Sequence, residues 1–132
     1  MIRYRFHSFL QFQLPFLAWC IFIFTVSSIP QARIPNFVNY TDKMVHAGVF
    51  FTLCWLAHVA FRFQPAAFLR THALLLAWIF VVLFGVSDEY HQMFTPGRTS
   101  EVLDLAADAA GGLFYVLFYR RFRFYDRYIL TR

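Results

Sequence analysis

Four apolar stretches separated by short polar segments make up most of the chain. They cover residues 14–29, 45–61, 69–86 and 102–118. Each is close to the minimum length that spans a hydrocarbon core about 30 Å thick. Only a helix satisfies all of its own backbone hydrogen bonds within one segment in lipid, so the pattern predicts an all-α integral membrane bundle of four transmembrane helices. Residues 1–132 are predicted to form a single membrane domain.

The composition excludes an ordinary soluble domain. Hydrophobic residues make up 60% of the chain and charged residues only 14%, and 19 of the 132 residues are phenylalanine. A soluble core of this size could not bury that much apolar surface, whereas lipid solvates it. The formal net charge is +5, but the basic residues flank the apolar stretches instead of forming a separate basic region. This distribution predicts membrane lipid, and not nucleic acid, as the partner.

The positive residues predict how the chain is oriented in the membrane. Nine of the twelve lie before the first stretch, between the second and third or at the start of the third, or after the fourth: Arg3, Arg5, Arg62, Arg70, Arg120, Arg121, Arg123, Arg127 and Arg132. Positively charged flanks stay in the cytoplasm, so both termini are predicted to be cytoplasmic in a multi-pass protein of the cytoplasmic (inner) cell membrane. Segment 119–132 interleaves arginine with aromatic residues, which predicts a basic interfacial tail on the headgroups.

Acidic residues gather on the opposite, extracytoplasmic face. Six of the seven fall in the two outer segments or just inside the helices that adjoin them: Asp42, Asp88, Glu89, Glu101, Asp104 and Asp108. Ionisable groups are costly in a bilayer, so a cluster that dips into it usually marks a site. The sequence therefore predicts a polar pocket at this face.

The second apolar stretch is preceded by Asp42 and Lys43 and contains His46 in its first turn. Asp42 and His46 are four residues apart and share a helical face, so Asp42 could orient the imidazole in an acid–base site. The same spacing fits a histidine that bonds an aspartate and only fixes a helix end. The spacing alone leaves both interpretations open.

The third helix is predicted to continue outward through Asp88, Glu89 and Gln92, where either carboxylate can share a face with the amide. Thr95-Pro96-Gly97-Arg98 then predicts a turn.

The fourth helix carries an acidic stripe. Glu101, Asp104 and Asp108 recur at spacings of three and four, which places them on one helical face. Asp108 lies about two turns, or roughly 10 Å, inside the helix. Gly111 and Gly112 beyond it would let another helix approach closely, so we expect Asp108 to face protein and not lipid.

Two kinds of ligand suit this chemistry. The second and fourth helices both begin on the outer face, and their positive dipole ends, with Lys43 and Arg98, suit an anion such as phosphate. The carboxylates could hold a divalent cation, act as acid and base, or neutralise the basic groups in a salt-bridge network. The sequence indicates no particular metal and no oligomeric state.

Four motifs follow one another along the chain: Asp42-Lys43-x-x-His46, Asp88-Glu89-x-x-Gln92, Pro96-Gly97-Arg98 and Asp104-x-x-x-Asp108-x-x-Gly111. Together they resemble the VanZ-like family over roughly residues 40 to 115. The resemblance implies a small polytopic envelope protein. The family's founding member is associated with low-level teicoplanin resistance, so the resemblance also implies a link to glycopeptide tolerance. The last motif often carries Asn where Asp108 stands here, and this departure adds a negative charge inside the bundle.

Three functions fit the sequence. The first is binding of an anionic lipid or a lipid-linked cell-wall precursor. The second is an enzyme acting on a lipid phosphate ester, with His46 or Glu89 as base and Asp42 orienting His46. The third is a structural partner of another membrane protein, whose charges tie helices together. The ligand-binding residues predicted for the first function are Lys43, Asp88, Gln92, Arg98, Asp104 and Asp108.

Overall fold

The computed structural model describes residues 7–33 and 39–122, and helices dominate both ranges. A π-helical turn at Phe9–Gln13 leads into α1, Leu14–Ser27. The helices that follow are α2 (Asn39–Arg62), the short α3 (Ala67–Thr71), α4 (Ala73–Gln92) and α5 (Val102–Phe122). Within these described ranges, four helices are long and apolar enough to cross a membrane: the α1 segment from Phe9, α2, α4 and α5. The predicted all-α membrane bundle is confirmed.

The helices extend beyond the apolar stretches that reveal them. Helix α2 begins at Asn39, six residues before the apolar run, and α4 continues to Gln92. A helix can continue past the apolar stretch because each added residue forms one more backbone hydrogen bond, whether or not it is polar. The helices are therefore longer than the apolar stretches. The third helix also begins later than residue 69, because His72 leaves helical geometry (φ −105°, ψ 14°) and separates α3 from α4.

Helix α2 lies at the centre of the bundle. It packs most extensively against α5 and also contacts α4 and α1. Its inward face is fully buried and carries Phe50, Leu53, Cys54, Ala57 and Ala60. The outward faces of the other helices expose large apolar side chains, as a lipid solvent allows.

A glycine sets the distance between α2 and α5. A Cβ added at Gly111 would lie 2.1 Å from the backbone oxygen of Ala47, so any larger residue collides with the neighbouring helix. Gly112 faces α4 instead, where an added Cβ would lie 2.8 Å from Val81 Cγ1. The close helix approach predicted from these glycines is confirmed.

The order of the helices brings the polar segments to one end of the bundle. Helices α1 and α4 end where α2 and α5 begin, as the contact between Ser27 and Asp88 and that between Lys43 and Glu101 show. The predicted basic tail, 119–132, is part of α5 up to residue 122, and its remainder lies outside the described residues. Cytoplasmic termini stay a prediction.

Candidate functional site

The polar end of the bundle contains a histidine–aspartate pair between α2 and α5. His46 Nδ1 lies 2.9 Å from Asp108 Oδ1, and Asp108 is completely buried. The sequence suggested that Asp42 would orient His46, whereas the carboxylate bonded to Nδ1 belongs to Asp108. The Gly111–Ala47 contact brings the two helices close enough for this bond. Asp108 faces protein, as predicted.

Helix α4 makes room for the buried carboxylate of Asp108. A Cβ at Gly85 would lie 3.2 Å from Asp108 Oδ2, so the carboxylate packs against the α4 backbone. Among the residues that the structure describes, Asp108 Oδ2 has no hydrogen-bond partner.

Glu89 reaches the same place from α4. Its Oε2 accepts a hydrogen bond from the Glu101 backbone N–H at 3.0 Å, which satisfies one of the N–H groups left open at the start of α5. Its Oε1 is buried and has no partner within the described ranges. One donor atom from each of His46, Glu89 and Asp108 lies within 4.8 Å of the other two, so these side chains could hold a metal ion. We call these three residues the buried triad.

Lys43 lies beside the triad in a network with three carboxylates. Its Nζ hydrogen-bonds Asp104 and lies 2.8 Å from Glu101 Oε2 and 3.7 Å from Asp42 Oδ2. The hydrogen bond and charge of Lys43 hold the pKa of the exposed Glu101 carboxyl below its ordinary value. Asp42, Asp104 and His46 form a second group with metal-ligand spacing, but Asp104 already has the ammonium of Lys43 as its counter-ion.

Asp88 forms a separate cluster between α4 and α1. Its Oδ2 accepts hydrogen bonds from Ser27 Oγ at 2.8 Å and Gln92 Nε2 at 2.9 Å. Of the two partners that the sequence allowed for Gln92, Asp88 and Glu89, the structure has Asp88. Its Oδ1 is buried without a partner in the described part of the chain. Thr95 Oγ1 donates to the Ser27 carbonyl, which fixes the following turn against α1.

Arg98 closes that turn and grips the end of α1. The predicted turn is present, with the Arg98 N–H bonded to the Thr95 carbonyl and Gly97 at φ +75°. The guanidinium donates to the carbonyls of Val26 and Ile29 at 3.2 and 3.3 Å, and to Gln92 Oε1 at 3.4 Å. A cation at the carboxyl end of a helix also complements the helix dipole. Arg98 thus has a structural role that the sequence did not indicate.

Sequence reasoning missed Ser27 and Gly85, which build this end of the bundle, and it placed Thr95 only in a turn. The signals for them were weak, because a serine or glycine inside an apolar run is common in membrane helices and names no partner. Their partners lie 61, 23 and 68 residues away in sequence, too far for helical spacing to reveal.

A match over nearly the whole chain identifies the family. A sequence profile of the family described as VanZ/LLP1 matches residues 6–123, and the chain therefore belongs to this family. The resemblance predicted from the motifs is confirmed, and it extends beyond residues 40 to 115. Neither a curated protein nor a solved structure matches the chain. Family membership and four apolar helices together identify a multi-pass membrane protein.

Proposed function

We propose that this VanZ/LLP1-family protein is a cell-membrane envelope protein that binds the phosphate-bearing headgroup of an anionic lipid or a lipid-linked cell-wall precursor. The binding site is the polar end of the bundle, on the extracytoplasmic face. One observation carries the proposal: Asp88, Glu89 and Asp108 are buried in membrane-spanning helices, and each has an oxygen without a partner among the described residues. Such incompletely satisfied charge is costly in a membrane protein unless function requires it.

The neighbouring charges support a headgroup as the ligand. Lys43 stands beside the start of α5, and the dipoles at the amino termini of α2 and α5 favour anions. Arg98 lies at the same end of the bundle, on the carbonyls that end α1. In a bilayer the ends of spanning helices lie where headgroups meet the hydrocarbon, which would bring this end to the level of lipid phosphates. Acyl or isoprenoid chains could then lie along the exposed apolar faces, which include Ile21, Leu83 and Phe114.

Binding of a polyprenyl phosphate probe to protein in neutral-lipid nanodiscs tests the proposal. We expect Lys43→Gln and Arg98→Ala to weaken binding at least about tenfold, since a charge-assisted hydrogen bond is worth about 1.5–3 kcal/mol. Arg70→Ala is the matched control, because Arg70 also donates to two backbone carbonyls, those of Gln64 and Pro65, but at the opposite end.

Two outcomes would overturn headgroup binding. Equal weakening in all three variants would indicate general electrostatic attraction instead of a site. No binding to folded wild-type protein would favour the structural alternative. In that alternative the protein is a partner of another membrane protein, and its charges only hold helices together. Native mass spectrometry of protein purified in mild detergent would add the identity of any retained lipid.

The histidine–aspartate pair favours a second candidate function, hydrolysis of a lipid phosphate ester. Asp108 would accept a hydrogen bond from Nδ1–H of His46, which leaves Nε2 free to take a proton from a water molecule as that water attacks phosphorus. The ester P–O bond then breaks, and the leaving oxygen receives the proton from Nε2. Turnover of a lipid phosphate that is lost in His46→Ala and Glu89→Gln, with binding retained, would support catalysis. Turnover unchanged in both variants would refute this assignment.

Family membership supports a link to teicoplanin tolerance. We expect a susceptible host that expresses the wild-type protein to tolerate more teicoplanin than one that expresses Glu89→Gln at the same membrane level. Equal tolerance in the two strains and in a strain without the protein would refute the link.

A further inference from the structure

We propose that His46, Glu89 and Asp108, the buried triad, form a binding site for a divalent transition-metal ion such as Mn²⁺ or Zn²⁺. The three side chains come from three different helices, α2, α4 and α5. One donor atom from each lies within 4.8 Å of the other two. Helix packing, and not local sequence, therefore assembles the set.

The unpartnered oxygens point to a ligand at this position. Glu89 is 4% exposed and Asp108 is 0% exposed, yet Glu89 Oε1 and Asp108 Oδ2 lack partners in the described part of the chain. Buried polar atoms are normally satisfied, and buried carboxylates are normally paired with a cation or coordinated to a metal. Lys43, a cation at the same end of the bundle, bonds Glu101 and Asp104 instead.

The donor types select the class of ion. One imidazole and two carboxylates suit Zn²⁺ or Mn²⁺, whereas Ca²⁺ and Mg²⁺ prefer oxygen ligands alone. Two ligands that bind one such ion at about 2.0–2.2 Å lie at most about 4.4 Å apart. The three donor atoms all lie within 4.8 Å of one another, so small movements of the side chains would bring them to coordinating distance.

The surroundings also suit a metal. The Glu101 backbone N–H holds the other oxygen of Glu89, as hydrogen bonds commonly orient metal ligands. Asp108 is fixed between α2 and the α4 backbone at Gly85. Three protein ligands leave coordination positions open, and phosphate oxygens could occupy them.

This inference deepens the proposed function, because a metal would offset the negative charge of the site and bridge it to a headgroup phosphate. A neutral imidazole that coordinates a metal through one nitrogen carries its proton on the other, so it has no lone pair left to act as a general base. Metal binding would therefore exclude His46 as the base of the hydrolytic alternative.

Metal content tests the proposal without any lipid. Full-length protein in detergent is stripped with a chelator and titrated with Mn²⁺ by electron paramagnetic resonance, and bound Zn²⁺ is counted by mass spectrometry of the elements. We expect one ion per wild-type chain and an affinity at least about tenfold lower in Glu89→Gln and in Asp108→Asn. The matched control makes the same chemical change nearby: Glu101→Gln should bind like the wild type, because the Glu101 side chain bonds Lys43 and is not one of the three ligands.

Spectroscopy keeps the test decisive if a variant fails to fold. Mn²⁺ bound to the wild-type protein should show electron spin-echo modulation from one imidazole nitrogen. In a separate measurement, removal of the metal with a chelator should lower the melting temperature of the wild type but not that of Glu89→Gln. Absence of that modulation, absence of bound ion, or equal affinity in wild type and both triad variants would overturn the metal site.

The metal site and the headgroup site can fail separately. If Mn²⁺ binds but polyprenyl phosphate does not bind the loaded protein, the metal site stands and the headgroup proposal fails. If polyprenyl phosphate binds equally well to the chelated and the loaded protein and no ion is retained, headgroup binding stands and the metal proposal fails.

Discussion

The contact between Gly111 and Ala47 offers a sharp test of how helix packing builds the polar site. In Gly111→Ala the new methyl group would lie 2.1 Å from the Ala47 backbone oxygen, and this distance must grow by about 0.9 Å to reach 3.0 Å. The obstacle is backbone, so no rotamer change relieves the collision. Helices α2 and α5 must move apart.

The magnitude follows from what that movement breaks. Asp108 lies less than one turn before Gly111, and His46 adjoins Ala47, so a separation of about 0.9 Å would stretch their 2.9 Å bond beyond hydrogen-bond length. Overpacking costs about 1–3 kcal/mol. An interhelical hydrogen bond in a membrane protein adds about 0.6–1.7 kcal/mol. We therefore expect a loss of roughly 2–5 kcal/mol.

Unfolding by titration with sodium dodecyl sulfate in mixed micelles, followed by tryptophan fluorescence and circular dichroism, measures this free energy. Gly48→Ala is the matched control, because it lies on α2 next to Ala47 and an added Cβ would meet nothing within 4 Å. The free energy of unfolding of this control should equal that of the wild type or exceed it by up to about 1 kcal/mol, because alanine favours a helix more than glycine does. A Gly111→Ala protein within about 0.5 kcal/mol of wild type would refute the reasoning.

Three further predictions concern single contacts and orientation. Ser27→Ala should lower the free energy of unfolding by about 1–3 kcal/mol, because it removes a donor from the buried Asp88, whereas Thr25→Ala on the exposed face should change it by less than about 0.5 kcal/mol; equal losses would contradict the cluster. Lys43 lowers the folded-state pKa of Glu101, so the contact between them should stabilise the folded protein fully above the ordinary pKa of 4.5. This stabilisation should disappear as the pH falls through the lower folded-state pKa. The difference in unfolding midpoint between wild type and Glu101→Gln should shrink accordingly, and a difference that grows in acid would contradict the pairing. Alkaline phosphatase should be active when inserted into the 95–98 turn and inactive at the carboxyl terminus, and the reverse pattern would refute the predicted orientation.

Much of the architecture could be predicted from the sequence because membrane insertion depends on local composition. An apolar stretch long enough to cross the hydrocarbon core favours a membrane helix wherever it occurs in a chain, so the four spans could be predicted without knowledge of their neighbours. Helical spacing also limited the carboxylate partners of Gln92 to Asp88 and Glu89, since residues three or four apart share a face in any helix. The glycines beyond Asp108 indicated that it faces protein. The glycine pair indicated close packing for the same local reason.

The partners across helices depend on how each helix is rotated and how closely it packs, and no local pattern contains that information. The sequence assigned His46 to Asp42 because they are four residues apart; tertiary packing bonds Asp108 to its Nδ1 because Gly111 and Gly85 bring three helices together there. Arg98 could be read only as a cation near an outer turn, and the fold gives it carbonyls at the end of α1. The chain alone thus determined a four-helix membrane protein with a polar end, since insertion and helical faces are local properties. The tertiary structure alone decided which charges meet, because those contacts join residues about 60 to 70 positions apart.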